Sequence, residues 1–169
     1  FTHLNTLNKE MTSPLKQLME SPLPSIGQQK RLTYRTDTHE VSRLYRMLNY
    51  YIFDNELPTP ILEVMPRCRK YWGMCFGSDE PIPYRRSLCK IRLMDKWYSR
   101  QWLINTLAHE MCHQYQWDVL GPKRIKQGKE PIMSHGPSFF VFRERLKKHG
   151  ISLKTSHSKR RRSEEHTSE

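Results

Sequence analysis

Two kinds of segment are missing from this chain, and both absences narrow its class. No apolar run comes near the roughly 18 residues that span a bilayer, and the first residues, from Phe1 onward, carry no apolar core of a secretory signal. Cysteine is scarce: Cys68, Cys75, Cys89 and Cys112 are the four, with no C-x-x-C pair among them. That argues against a zinc ribbon and a disulfide framework, and for buried thiols in a reducing intracellular compartment, cytoplasm or nucleus, rather than a secreted protein. Acidic residues are outnumbered, 17 Asp and Glu against 29 Lys and Arg, for a formal net charge of +12. Such a surplus points to a polyanionic partner, nucleic acid ahead of a membrane, and is silent on fold.

At 169 residues the chain is long enough for one compact domain with tails. Residues 1–36 are polar and broken by Pro14, Pro22 and Pro24, and read as an arm or linker. The domain is expected over 37–153, with a basic tail over 154–169. The last eight residues, RSEEHTSE over 162–169, look like an in-frame translation of a sequencing adapter and are left out of the fold reading. Losing their one arginine and three glutamates would make the chain more basic still.

Within the domain, Val41, Leu44, Tyr45, Leu48, Tyr51 and Ile52 recur at three- and four-residue steps, which predicts a helix capped by Asp37 or Thr38 and ended by Leu57-Pro58. Short β-type runs follow at Ile61 to Met65, Tyr71 to Phe76 and Leu88 to Met94, with a Pro81- and Pro83-bearing loop between the last two. Ser99 can cap a second helix stopped by Gly121-Pro122, and a third is expected from Pro137 to His149 with Gly150 past its end. The fold class is α+β, a small three-stranded sheet packed with about three helices.

The second helix carries His109-Glu110-Met111-Cys112-His113, the H-E-x-x-H pattern. Residues four apart share a helix face, so both imidazoles reach one ion while Glu110 projects beside it, placed to take a proton from activated water. Leu103, Ile104, Leu107, Ala108, Met111, Cys112 and Tyr115 collect on the other side of the wheel, which turns the histidines toward a cleft. The string alone is not decisive, because a catalytic zinc needs a third protein ligand. The metzincin extension would need glycine at 116 and histidine at 119; Gln116 and Val119 stand there, which rules that class out. Downstream donors are Glu130, His135, Glu144 and His149, of which His135 is expected, since Ser134-His135-Gly136-Pro137 is a loop that can aim it.

Four separated motifs occur in one order: Phe53-Asp54-Asn55-Glu56-Leu57-Pro58, Gly73-Met74-Cys75, Leu107 to His113, and His135-Gly136-Pro137-Ser138-Phe139. Together they resemble the SprT-like family, which includes the Spartan proteases, over roughly Thr38 to Leu153. The resemblance implies a compact zincin-type α+β fold, one zinc ion on His109, His113 and His135, and Glu110 as catalytic acid and base. It also implies a protein substrate and DNA-linked proteolysis, the cleavage of proteins trapped on DNA in the course of repair. Gln114 departs from the family pattern, where a small residue is frequent, and no cysteine-rich zinc-binding segment follows within the chain.

Arg67, Arg69, Lys70, Arg85 and Arg86, interleaved with Tyr71 and Trp72, form the expected contact set for single-stranded or unpaired DNA, cations for phosphates and rings for bases. A solvated charged face with Trp72 in the core is the competing reading. Two other functions compete: a non-catalytic zinc-stabilised nucleic-acid-binding module, against which the intact Glu110 argues, and a general zincin peptidase, which the charge and cysteine usage disfavour. No membrane partner is expected.

Overall fold

The computed structural model describes residues 13–20, 31–66, 71–77, 87 and 89–154. Its first helix, α1 (Pro14–Met19), has Ser13 as N-cap and proline in the first turn, where a missing N–H does no harm. This part of the segment expected to be a loose arm is docked: Leu15 is fully buried, and Ser13 pairs through Oγ with Nδ1 of His149 at 2.8 Å. A two-residue strand β1 (Tyr34–Arg35) leads into α2 (Thr38–Tyr51), where Asp37 caps by accepting from the Glu40 N–H at 2.8 Å. The helix stops at Tyr51, before the proline step expected to end it. Asp54 and Asn55 adopt left-handed φ of 53° and 58°, a conformation these two residue types tolerate. The Asn49 side chain closes the resulting turn by bonding both the C=O and the N–H of Leu57.

Strands β2 (Ile61–Met65), β3 (Gly73–Gly77) and β4 (Cys89–Met94) form a sheet in the order β2-β4-β3. β4 runs parallel to β2, with Leu62 beside Ile91, and antiparallel to β3, with Cys75 beside Ile91. Strand β5 (Lys96–Trp97) pairs with β1. Period-two alternation sends Ile91 and Leu93 into the core and Lys90 and Arg92 to the outer face.

Across the inner face lies α3 (Arg100–Gln114), capped by Ser99. Gly121-Pro122 does not end the helical run as expected: a π-helical turn (Tyr115–Leu120) carries it into α4 (Gly121–Lys126), whose first turn accepts the proline. The last predicted helix is also divided, into a 3-10 turn (Phe139–Phe142) kinked at Phe140 and α5 (Arg143–Lys148). Gly150, at φ 78°, ends it, with Ile151 N–H returning to the Leu146 carbonyl at 3.0 Å. The α+β class with a small mixed sheet stands, and no described helix is long and apolar enough to cross a membrane.

Candidate metal centre

His109 and His113 stand one turn apart on α3, and His135 joins them from the loop before the 3-10 turn, so that ligand atoms of all three lie within 4.8 Å of one another. Nε2 of His113 is 3.0 Å from Nε2 of His135. Phe139 forms the apolar wall behind the group, its ring centroid 4.8, 4.7 and 4.9 Å from those of His109, His113 and His135. The sheet and the 3-10 turn pack against α3, whose residues from Thr106 to Gln114 are all buried; His109, His113 and Glu110 are 6, 8 and 5 % exposed. The face expected to look into a cleft is thus almost wholly buried.

Hydrogen-bond partners dictate the tautomers. Nδ1 of His109 lies 2.7 Å from the carbonyl oxygen of Lys154, which can only accept, so His109 carries its proton on Nδ1 and its lone pair on Nε2. Nδ1 of His113 lies 2.8 Å from Oε1 of Gln116, which likewise accepts. Burial pushes the His113 imidazole down to about 4, against the pull of that bond to Gln116, so the ring is neutral as a metal ligand must be.

These nitrogens suit a divalent transition ion. Around tetrahedral zinc with Zn–N of about 2.0–2.1 Å, neighbouring nitrogens sit roughly 3.3 Å apart, within reach of small adjustments here. With its proton on Nδ1, His113 offers His135 a bare lone pair at 3.0 Å. That contact is favourable when His135 donates or when both nitrogens face one cation. The other expected donors lie elsewhere: His149 is buried against Ser13, and Glu130 and Glu144 are outside the group.

Glu110 is enclosed beneath this group, and burial pushes its carboxyl up to about 8, offset in part by a hydrogen bond from the backbone N–H of Cys75. That bond locates Glu110 at the edge of the sheet. Trp72 C=O accepts from Met94 N–H at 3.1 Å, so even-numbered residues of β3 face β4, while Gly73, Cys75 and Gly77 turn their backbone groups outward. Cys75, Cys89 and Cys112 are free thiols. The Cys75 thiol is raised by a hydrogen bond with Cys89 and by burial, and that of Cys112 by burial and the neighbouring Glu110, so both stay protonated.

Two glutamines that sequence reasoning passed over organise the surroundings. Gln114, fully buried, accepts from the Tyr45 hydroxyl at 2.7 Å and donates to the Pro58 carbonyl and to Asp118. Gln116 reaches both His113 and the His135 loop. Their signal was available: amides one and three residues after His113 in a helix otherwise buried among apolar residues.

Of the residues expected to contact DNA, Arg67, Arg69, Lys70, Arg85 and Arg86 lie outside the described residues. Tyr71 is half-buried and bonds Arg92. Trp72 is a correction: at 3 % exposure it stacks on Trp97, centroids 5.2 Å apart, and has no face left for a nucleobase. Its ring fills the space between β3 and β5, and within that aromatic cluster Trp102, at 37 %, is the exposed member.

Residues 41–161 match the family model described as the SprT-like family. No curated protein matches the chain.

Proposed function

Because the chain belongs to the SprT-like family of zincin-like proteases, we propose that it is a zinc-dependent endopeptidase that cleaves proteins held on DNA. The observation that carries the hydrolytic part is Glu110, a carboxylate enclosed beside the three-histidine group and bonded to the backbone of the sheet's edge strand. A purely structural metal site has no use for such a group.

His109, His113 and His135 would hold the ion through Nε2 for the first two, where the tautomers leave the lone pairs. Zinc bound there supplies Lewis acidity, which activates water near neutral pH and polarises a peptide carbonyl. Glu110 would take the proton of the attacking water and return it to the leaving amine. With the Cys75 N–H taken by Glu110, the outward backbone groups of Gly73 and Gly77 and the Cys75 carbonyl can align an extended substrate chain by strand addition, which brings the scissile bond past Glu110. Phe139 keeps the back of the site dry.

The DNA part rests on the net charge of +12 and on the likeness to the Spartan branch. The test is cleavage of a DNA-crosslinked protein by the zinc-loaded chain, with and without single-stranded DNA, beside Glu110→Gln. DNA-stimulated cleavage that disappears in Glu110→Gln supports the whole reading. Cleavage indifferent to DNA reduces it to a general peptidase, and zinc and DNA binding without any cleavage replaces it with a binding module.

A further inference from the structure

We propose that Gln116 is a positioning residue of the metal centre, one buried amide that fixes the tautomer of His113 and ties down the loop carrying His135. The inference rests on the zinc reading above. The Gln116 side chain is 1 % exposed, and each end of its amide has an assigned role. The Ser134 carbonyl, 2.8 Å away, can only accept, so the amide nitrogen must face it; the second N–H goes to Ser138 Oγ, also at 2.8 Å. The amide oxygen is thereby left for Nδ1 of His113 at 2.8 Å, which must be the donor. Hence His113 presents its lone pair at Nε2, toward His135.

Ser134 and Ser138 bracket His135, so the same amide pins the loop on both sides of the third ligand. His113 and His135 are 22 residues apart, and among the described side chains Gln116 bonds to the first and to the loop of the second. Placement explains why it can. In the metzincin extension the third position after the second histidine must be glycine, because the chain turns there toward its third ligand. Here the chain continues into the π-helical turn and the third ligand arrives from elsewhere, so position 116 is available for a side chain three residues from His113 on the same face. His109 takes its own partner from Lys154 and does not depend on this amide.

The experiment measures zinc affinity by competition with a chromophoric chelator, and histidine-ring nitrogen NMR of the metal-free and zinc-loaded full chain, for wild type, Gln116→Ala, Gln116→Glu and Ser138→Ala. Gln116→Ala is expected to raise the zinc dissociation constant about 10–100-fold, the range for lost second-layer partners. Its His113 signals should change from a pure Nδ1–H form to a mixture while those of His109 stay. Gln116→Glu still accepts from His113 but cannot donate to Ser134, so it restores the tautomer and not the affinity. Ser138→Ala, which removes one small contact, should give a smaller loss in the same direction and keeps the question open to measurement should Gln116→Ala not fold. Unchanged affinity and tautomer in Gln116→Ala overturn the proposal and leave the zinc reading standing, and scrambling of His109 and His113 together also overturns it. A wild-type chain that binds no zinc overturns the zinc reading instead, and the His113 tautomer in the metal-free protein then decides the role of Gln116.

Discussion

Helices α2 and α3 are buried in opposite ways. α2 sends Val41, Leu44, Tyr45 and Leu48 into the core and leaves most of its remaining surface partly or wholly in water. α3 is buried on every side from Thr106 to Gln114, and its enclosed residues include two histidines, a glutamate and a glutamine. A buried polar group left without a partner costs about 1–3 kcal/mol, and along this stretch Thr106 Oγ1 is left so while the two histidines, the glutamate and the glutamine are matched. His109 has Lys154, His113 has Gln116, Glu110 has the Cys75 N–H, and Gln114 has Tyr45 and Pro58. α2 therefore serves the core by apolar area, whereas α3 adds the buried Leu103, Ile104, Leu107, Ala108, Met111 and Cys112 to that core and also holds reactive groups in place by directional bonds.

The largest expected effect breaks chemistry without touching stability. Glu110→Gln keeps the shape and an acceptor for the Cys75 N–H, while removing the group that moves the proton. Peptide hydrolysis should fall by about 10²–10⁴-fold, the usual share of a general acid–base. Zinc content by mass spectrometry and the melting temperature should match wild type. A melting temperature that drops along with activity would mean that Glu110 is structural rather than catalytic. The converse variant is Leu48→Ala. Leu48 is fully buried, and its loss should cost about 2–5 kcal/mol in urea unfolding, with zinc affinity per folded molecule unchanged.

What could be read from sequence follows the same division. Local patterns placed the start of α2 at Asp37 or Thr38, the start of α3 at Ser99 and the three sheet strands within two residues, because caps and periodicity are properties of neighbouring residues. Four-residue spacing placed His109 and His113 on one face for the same reason. The end of α2 was misread because two left-handed residues override a proline signal further on, and Gly121-Pro122 because a π-helical turn lets a proline begin α4 instead of ending α3. The sequence left Trp72 open between a nucleic-acid contact and the core because its neighbours are basic, and its ring is governed by Trp97, distant in sequence. The docking of α1 through Ser13 and His149, and the bonds of Gln114 and Gln116, are likewise non-local and leave no period in the sequence.

A third variant probes where the two regimes meet. A Cβ on Gly73 would sit 2.7 Å from Leu93 Cδ2 and 3.0 Å from Thr106 Cγ2, between β3 and α3. Gly73→Ala should cost about 1–3 kcal/mol by overpacking. It should also lift β3 from α3 and loosen the Cys75 N–H from Glu110, so peptidase activity falls by more than the folded fraction does. A loss of activity equal to the loss of folded protein would show that the strand does not hold Glu110.

The smallest effect belongs to the outer face of the sheet, where polar bonds are made in water. Glu63 accepts from Arg92 at 3.0 Å and faces Lys90 at 3.1 Å, with all three side chains about 30 % exposed. Slight burial draws its carboxyl up, but hydrogen bonds from Arg92 and Lys90 outweigh it and leave the group below the usual carboxylate range. Since the folded value is depressed, the contribution is present above the ordinary carboxylate value and is lost as pH falls through the lowered one. Exposed pairs of this kind contribute roughly 0.2–1 kcal/mol and are screened by salt. Glu63→Gln should therefore cost less than about 1 kcal/mol at neutral pH in low salt, progressively less as pH falls through the lowered value, and nothing in 1 M salt. Paired urea titrations of the two proteins measure this, and a cost that persists in acid or salt would place Glu63 with the enclosed groups of α3 rather than with the solvated ones. Surroundings then separate the two sets of contacts: the Glu63 pairs are ionic and lie in water, whereas the partners of His109 and His113 are enclosed, where losing a partner carries the full cost of burial.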